Sequence, residues 1–168
     1  MELTKEIRTS EARRAAALRF SGDLAKVDYK GAYARIVGEM ARRGIAFDKS
    51  DYFDVYPSDP SVYAGTCADP TQECLVDVCL TLPDGADFEP QGDFRLTTIP
   101  AGRWIVYTMR GPYELISAAY CEMYSKLLPE AYKECRPDPS RPMMERYIND
   151  PGRVRPEDLL TEFWHPIF

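Results

Sequence analysis

The chain repeats itself. Residues 99–124, IPAGRWIVYTMRGPYELISAAYCEMY, read as strand, tight turn and helix, and EARRAAALRFSGD followed by GAYARIVGEMARRG has the same shape upstream. The two passages align at particular residues. RRAAALRFSG falls on GRWIVYTMRG, and Ala-Tyr at 32–33 falls on Ala-Tyr at 119–120. DVYPSDP falls on ERYINDP, which sets Asp54 on Glu145, Tyr56 on Tyr147 and Asp59-Pro60 on Asp150-Pro151. Asp77 falls in the same way on Glu162. Two long copies indicate a duplication, since a solenoid needs at least about three repeats.

Each copy predicts a β-α-β-β unit. Strands are expected at 13–20, 52–56 and 73–82, and again at 103–109, 143–148 and 159–167. Tyr33, Ile36, Val37, Met40 and Ala41 predict a helix over 29–43, with Gly44 at its stop. A second helix over 113–128 has Ile116, Ala119, Tyr120, Met123, Tyr124 and Leu127 on its apolar face. The expectation is an α+β fold in one domain, 1–168, with a first repeat at about 5–85 and a second at about 93–168. Two tandem units with pseudo-twofold symmetry would join into one antiparallel, curved sheet carrying two helices on one face. The opposite, concave face would then be free, with a groove along the symmetry axis.

Composition narrows the function. A net charge of −6 over 168 residues argues against direct nucleic-acid binding and suits a cationic ligand or basic partner. No apolar run reaches the roughly 20 residues of a membrane span, and the N-terminus lacks a signal-peptide core, so a cytoplasmic protein is expected. Cys67, Cys74, Cys79, Cys121 and Cys135 are odd in number and irregular in spacing, which predicts reduced thiols. With His165 the only histidine and no C-x-x-C pair, neither a metal site nor any other cofactor is expected.

IPAGRWIVYTMRGPYELISAAYCEMY, ERYINDP and LLTEFWHPI together resemble the GyrI-like small-molecule-binding domain, the effector-binding module of some MerR-type and AraC-type regulators, which also occurs alone. The second half is the specific part. In the first, Glu11 replaces the usual proline before ARR, and SGD replaces the Gly-Pro-Tyr turn. The length implies the stand-alone form without a DNA-reading head.

Alternation in MMERYI sets Glu145 and Tyr147 on one face and Met144, Arg146 and Ile148 on the other, and Glu145 is expected to look into the groove. The resemblance implies that this glutamate meets the charge of lipophilic cations. Tyr147, Trp164, Trp104, Tyr56, Tyr107 and Phe53 would supply aromatic walls, and Glu162 a further polar contact. His165 should point away from Trp164 as a satisfied structural residue. Three functions follow from the resemblance. One is a module binding an amphipathic, aromatic or cationic molecule. Another is a hydrolase opening cyclopropane-bearing electrophiles, with Glu145 and Tyr147 catalytic. The last is a partner of gyrase.

Overall fold

The computed structural model of the chain describes residues 2–57 and 74–168; Asp59-Pro60, Cys67 and the predicted strand start at Glu73 lie outside the described residues. The strands are β1 Leu3–Ser10, β2 Arg13–Ser21, β3 Tyr52–Tyr56, β4 Leu75–Thr81, β5 Phe94–Ile99, β6 Gly102–Arg110, β7 Met143–Tyr147 and β8 Leu160–Ile167. They form one antiparallel sheet in the order β1-β6-β8-β7-β3-β4-β2-β5. Exchanging β1 with β5, β2 with β6, β3 with β7 and β4 with β8 turns this order into its own reversal. Each half therefore has one strand more than the alternation predicts, and that strand leaves home. β1 pairs with β6 of the second half, and β5 with β2 of the first.

This exchange bends the sheet. β1 and β2 stand six places apart, which in a flat sheet is about 29 Å at roughly 4.8 Å per strand. Yet only Glu11 and Ala12 join Ser10 to Arg13, three peptide steps that reach about 11 Å. The link from Ile99 to Gly102 imposes the same demand between β5 and β6. The sheet meets it by curling until its two edges approach at this end. Ala15 and Ala17 of β2 thereby share one buried cluster with Trp104 and Val106 of β6. Gly102 sits at the crossing with φ +143, and a Cβ there would collide with the Arg141 guanidinium. That guanidinium bonds the carbonyls of Ala101, Arg103 and Ile167.

Both helices cover the convex face. In α1, Tyr29–Arg42, Ala32, Ile36 and Met40 fall one turn apart and pack on Ala16, Leu18, Val78 and Leu80. The Asp28 side chain caps α1 by accepting from Gly31 N at 2.9 Å, and Gly44, at φ +70, ends it as expected. The second helix continues past the predicted end at 128. It runs from a 3₁₀ turn, Tyr113–Leu115, through α2, Ile116–Glu122, and a π turn, Met123–Leu127, into α3, Leu128–Ala131. Pro129 has no N–H to give and its ring crowds the carbonyl four residues back, and the wider π turn accommodates both. Ala119, Tyr120, Met123 and Leu128 pack from this helix on Ile105, Tyr107, Met109 and Phe163.

Cys79, Cys121 and Cys135 are free thiols, but Cys74 is disulfide-bonded, against the expectation of reduced cysteines throughout. No helix among the described residues is long and apolar enough to cross a membrane.

Because each half lends a strand to the other, fragments 1–89 and 90–168 should each be unfolded alone. On mixing they should regain β-rich circular dichroism and elute as one complex. A fragment that folds by itself as a monomer would contradict this interdependence.

Candidate functional site

The two aligned acids meet at the centre of the sheet. β3 pairs with β7 in a register that sets Asp54 directly opposite Glu145, with Tyr52 opposite Tyr147 and Tyr56 opposite Met143. The register continues from Asp54 to Val78 and from Glu145 to Phe163, both of which pack beneath helices. Asp54 and Glu145 therefore lie on the helix-bearing face, in the seam between the two helices. This corrects the expectation that Glu145 looks out from the opposite, free face. Alternation separated Glu145 from Met144 correctly, but only the pairing decided which set faces the helices.

Four tyrosines surround the pair, and they too are aligned mates. Tyr33 of α1 donates to Asp54 Oδ1 at 2.8 Å, and its mate Tyr120 of α2 donates to Glu145 Oε1. Tyr147 Oη lies 2.7 Å from Asp54 Oδ2 and 2.7 Å from Glu145 Oε2, and its mate Tyr56 also bonds Glu145. Tyr33 and Tyr113 stand edge-on to the Tyr147 ring at 6.1 and 5.5 Å.

Asp54 is fully buried and Glu145 is 2 % exposed. Burial disfavours their ionised forms. Burial first, and then the nearby Glu145 charge, push Asp54 up to about 8, against the bonds from Tyr147 and Tyr33. Burial also raises Glu145, opposed by the hydrogen bonds of Tyr120, Tyr147 and Tyr56. The Tyr33 and Tyr147 phenols are pushed well above their ordinary range, by burial and then by the adjoining Asp54.

The other buried acids among the described residues have cationic partners. Arg19 grips Asp77 through two bonds of 2.7 Å, Arg141 bonds Asp138 at 2.8 Å, and Arg8 reaches both oxygens of Glu162 at 3.0 Å. Among the described residues neither Asp54 nor Glu145 pairs with an arginine or lysine, and residues 58–73 contain neither residue type. Arg110 and Arg103, on the neighbouring half of the sheet, are engaged elsewhere, Arg110 with Asp158 and Arg103 with the Phe168 carbonyl.

The remaining candidates divide between the faces. Tyr107 lies beneath the second helix and donates to the Leu127 carbonyl. Trp164, Trp104, Phe53 and Glu162 lie on the concave side, so the expected aromatic wall beside Glu145 is not formed by them. Trp164 stands edge-on to Trp104 at 5.8 Å and to Phe53 at 5.9 Å, and its indole N–H donates to Glu162 at 2.9 Å. Arg8 covers Trp164 at 4.8 Å and Arg141 covers Trp104 at 4.6 Å. The concave face expected to be free is thus filled by the chain itself. His165 points away from Trp164 as expected, but its Nε2 has no hydrogen-bond partner among the described residues, and burial lowers it to about 3.

Asp54, Tyr33 and Tyr120 were absent from the expected site. The signal for them was present, because the repeat alignment matches Asp54 with Glu145 and Tyr33 with Tyr120. Among the described residues no cluster of His, Cys, Asp and Glu could hold a metal ion.

The model of the GyrI-like small molecule binding domain matches residues 4–167. No curated protein sequence matches the chain. Among solved structures, the chain is similar to EcmrR in its DNA complex, with TM-score 0.74 and 16% identity; the match covers 98% of this chain and 57% of that one. The isolated EcmrR C-terminal domain matches at TM-score 0.71 and 16% identity, over 100% of this chain and 99% of that one. SAV2435 bound to tetraphenylphosphonium matches at TM-score 0.62 and 13% identity, over 98% and 94%. A hydrolase from Listeria innocua matches at TM-score 0.61 and 16% identity, over 98% and 91%.

The raised Asp54 gives stability a definite pH dependence. The unfolded chain gives up this proton near pH 4, whereas the native chain keeps it to about pH 8. Stability must therefore fall as pH rises through that interval, by up to about 1.4 kcal/mol per pH unit for one proton. His165 has the opposite sign below pH 6.5, because burial disfavours its protonation in the native state. Urea unfolding between pH 6.5 and 8 should show a decline in the wild type that Asp54→Asn reduces. Parallel profiles for the two proteins would contradict the assignment.

Proposed function

The chain belongs to the family of GyrI-like small molecule binding domains, and on that premise we propose that it holds an amphipathic aromatic cation between its two helices, anchored at Glu145. One observation carries the reading: two buried carboxylates in the seam have tyrosines around them and no cation of the protein beside them. Burying a carboxylate without a counter-charge is costly, and a cation supplied by a ligand offsets that cost. Tyrosine rings present negative π faces, so the same walls favour a flat or aryl-bearing cation. Apolar burial would supply most of the affinity and the carboxylate the selectivity. The fold likeness to SAV2435, whose structure contains tetraphenylphosphonium, is in keeping with this ligand class.

Calorimetric titration with tetraphenylphosphonium tests the proposal. Saturable binding is expected, and Glu145→Gln should weaken it by about tenfold or more, the equivalent of about 1.4 kcal/mol. Equal affinity in both proteins would remove Glu145 from the site.

A second reading, hydrolysis of cyclopropane-bearing electrophiles, is favoured by the close approach of a proton-retaining Asp54 and Glu145 to one hydroxyl. Glu145 would take a proton from water as the new C–O bond forms and the strained C–C bond breaks. The released electron pair would pass to the dienone oxygen, which Tyr147 would protonate. Incubation with a spirocyclopropyl-cyclohexadienone should then yield a product heavier by one water, at a rate lost in Glu145→Gln. Conversion no faster than in buffer would dismiss this substrate class.

A further inference from the structure

The number of hydrogens at the carboxylate pair sets the charge that a bound cation meets, so the selectivity inferred from it rests on the cation reading. Tyr147 Oη makes two contacts of 2.7 Å, one to Asp54 Oδ2 and one to Glu145 Oε2. A phenol has a single hydrogen, so it donates to one carboxylate only. The second contact is attractive only when that acid carries a proton and donates it to the phenol oxygen. Two ionised carboxylates on one hydroxyl would set lone pair against lone pair in a buried seam, where such a mismatch is at its most costly.

The other donors decide where the proton sits. Glu145 also accepts from Tyr120 and Tyr56, whereas among the described residues Asp54 has Tyr33 alone besides Tyr147. Hydrogen bonds to the ionised form favour it, so the charge belongs on Glu145 and the proton on Asp54. The chain of donation then runs from Asp54 to the Tyr147 oxygen, and from the Tyr147 hydroxyl to Glu145.

We propose that Asp54 and Glu145 form one acceptor of single negative charge, sharing one proton through Tyr147, and that this charge count selects monovalent over divalent organic cations.

Among the described residues, the groups facing the pair leave that count intact. α1 presents Tyr33 and the second helix presents Tyr120, both neutral phenols. On the helix-bearing face the flanking strands bring Val78 from β4 and Thr161, Phe163 and a neutral His165 from β8. The Cys79 thiol, next along β4, is kept protonated by burial and by Asp77. The turn before α2 brings Tyr113, again a phenol. Asp150 is an exposed acid beyond Tyr52 and Tyr113.

Ethidium and propidium test the inference, because they share one phenanthridinium and differ by a second quaternary ammonium. Both are titrated by fluorescence against nucleic-acid-free protein at pH 7 and pH 9. At pH 7 ethidium should bind at least as tightly as propidium. Between pH 7 and 9 propidium should gain about tenfold over ethidium, as the shared proton leaves and a second charge appears. Calorimetry in buffers of different ionisation enthalpy should detect about one proton released per propidium bound at pH 7, and none for ethidium. Asp54→Asn should abolish the propidium gain.

A measurement without ligand separates the shared proton from the binding reading. Infrared spectra of the wild type at pH 7 should contain a carboxylic-acid carbonyl band that disappears on raising the pH and is missing from Asp54→Asn. Absence of that band from the wild type, or a propidium gain that persists in Asp54→Asn, would overturn the proposal. Binding of neither dye alongside a clear band would overturn the cation reading and the selectivity built on it, and would support the shared proton.

Discussion

Two links of two residues each govern this molecule. Glu11-Ala12 and Pro100-Ala101 must each carry the chain between strands that lie six places apart in the sheet. Such short chain cannot cross a flat sheet, so the sheet curls, and the curl determines what each face can do. The inside of the bend is packed with the chain's own side chains, and Trp104, Trp164, Phe53 and Met144 occupy it at 3 % exposure or less. The outside must take both helices. The seam between those helices lies over β3 and β7, the two strands farthest from the sheet edges.

The two halves have diverged in size more than in chemistry. Ala15 on the first side corresponds to Trp104 on the second, Cys79 to Trp164, and Val78 to Phe163. Large side chains from the second half thus fill space that small ones from the first leave open, as close packing requires. At the axis the correspondence is chemical instead. Asp54 and Glu145 are both acids, and each has a tyrosine from its own half's helix. Tyr147 of one central strand bonds both, and Tyr56 of the other central strand bonds Glu145. The arginines that neutralise Asp77, Asp138 and Glu162 do so away from that seam. What distinguishes the site is therefore less the presence of buried acids than the lack of a protein cation beside two of them.

The elements with a one-sided apolar pattern were legible. α1 declares Ala32, Ile36 and Met40 at helical spacing, and ERY declares its alternation. β1 and β5 were not legible, because as edge strands they bury little: LTKEIRTS has no fully buried residue and FRLTTI has one. Their pairing comes from the opposite half, which no local window contains. The π turn was hidden for a different reason. Pro129 reads locally as a stop, and only packing on the sheet favours continuing the helix past it.

By itself, then, the sequence determined the duplication, the α+β class, the two amphipathic helices and the acid-tyrosine pairs repeated in each half. These follow from residue spacing along one segment, which local stereochemistry translates directly. Tertiary structure decided which partner each strand takes, which face of β3 and β7 meets the helices, and hence that Asp54 stands against Glu145 while Trp104 and Trp164 turn away. A period-two strand offers two faces of equal standing. Only the closing of a distant crossover can choose between them.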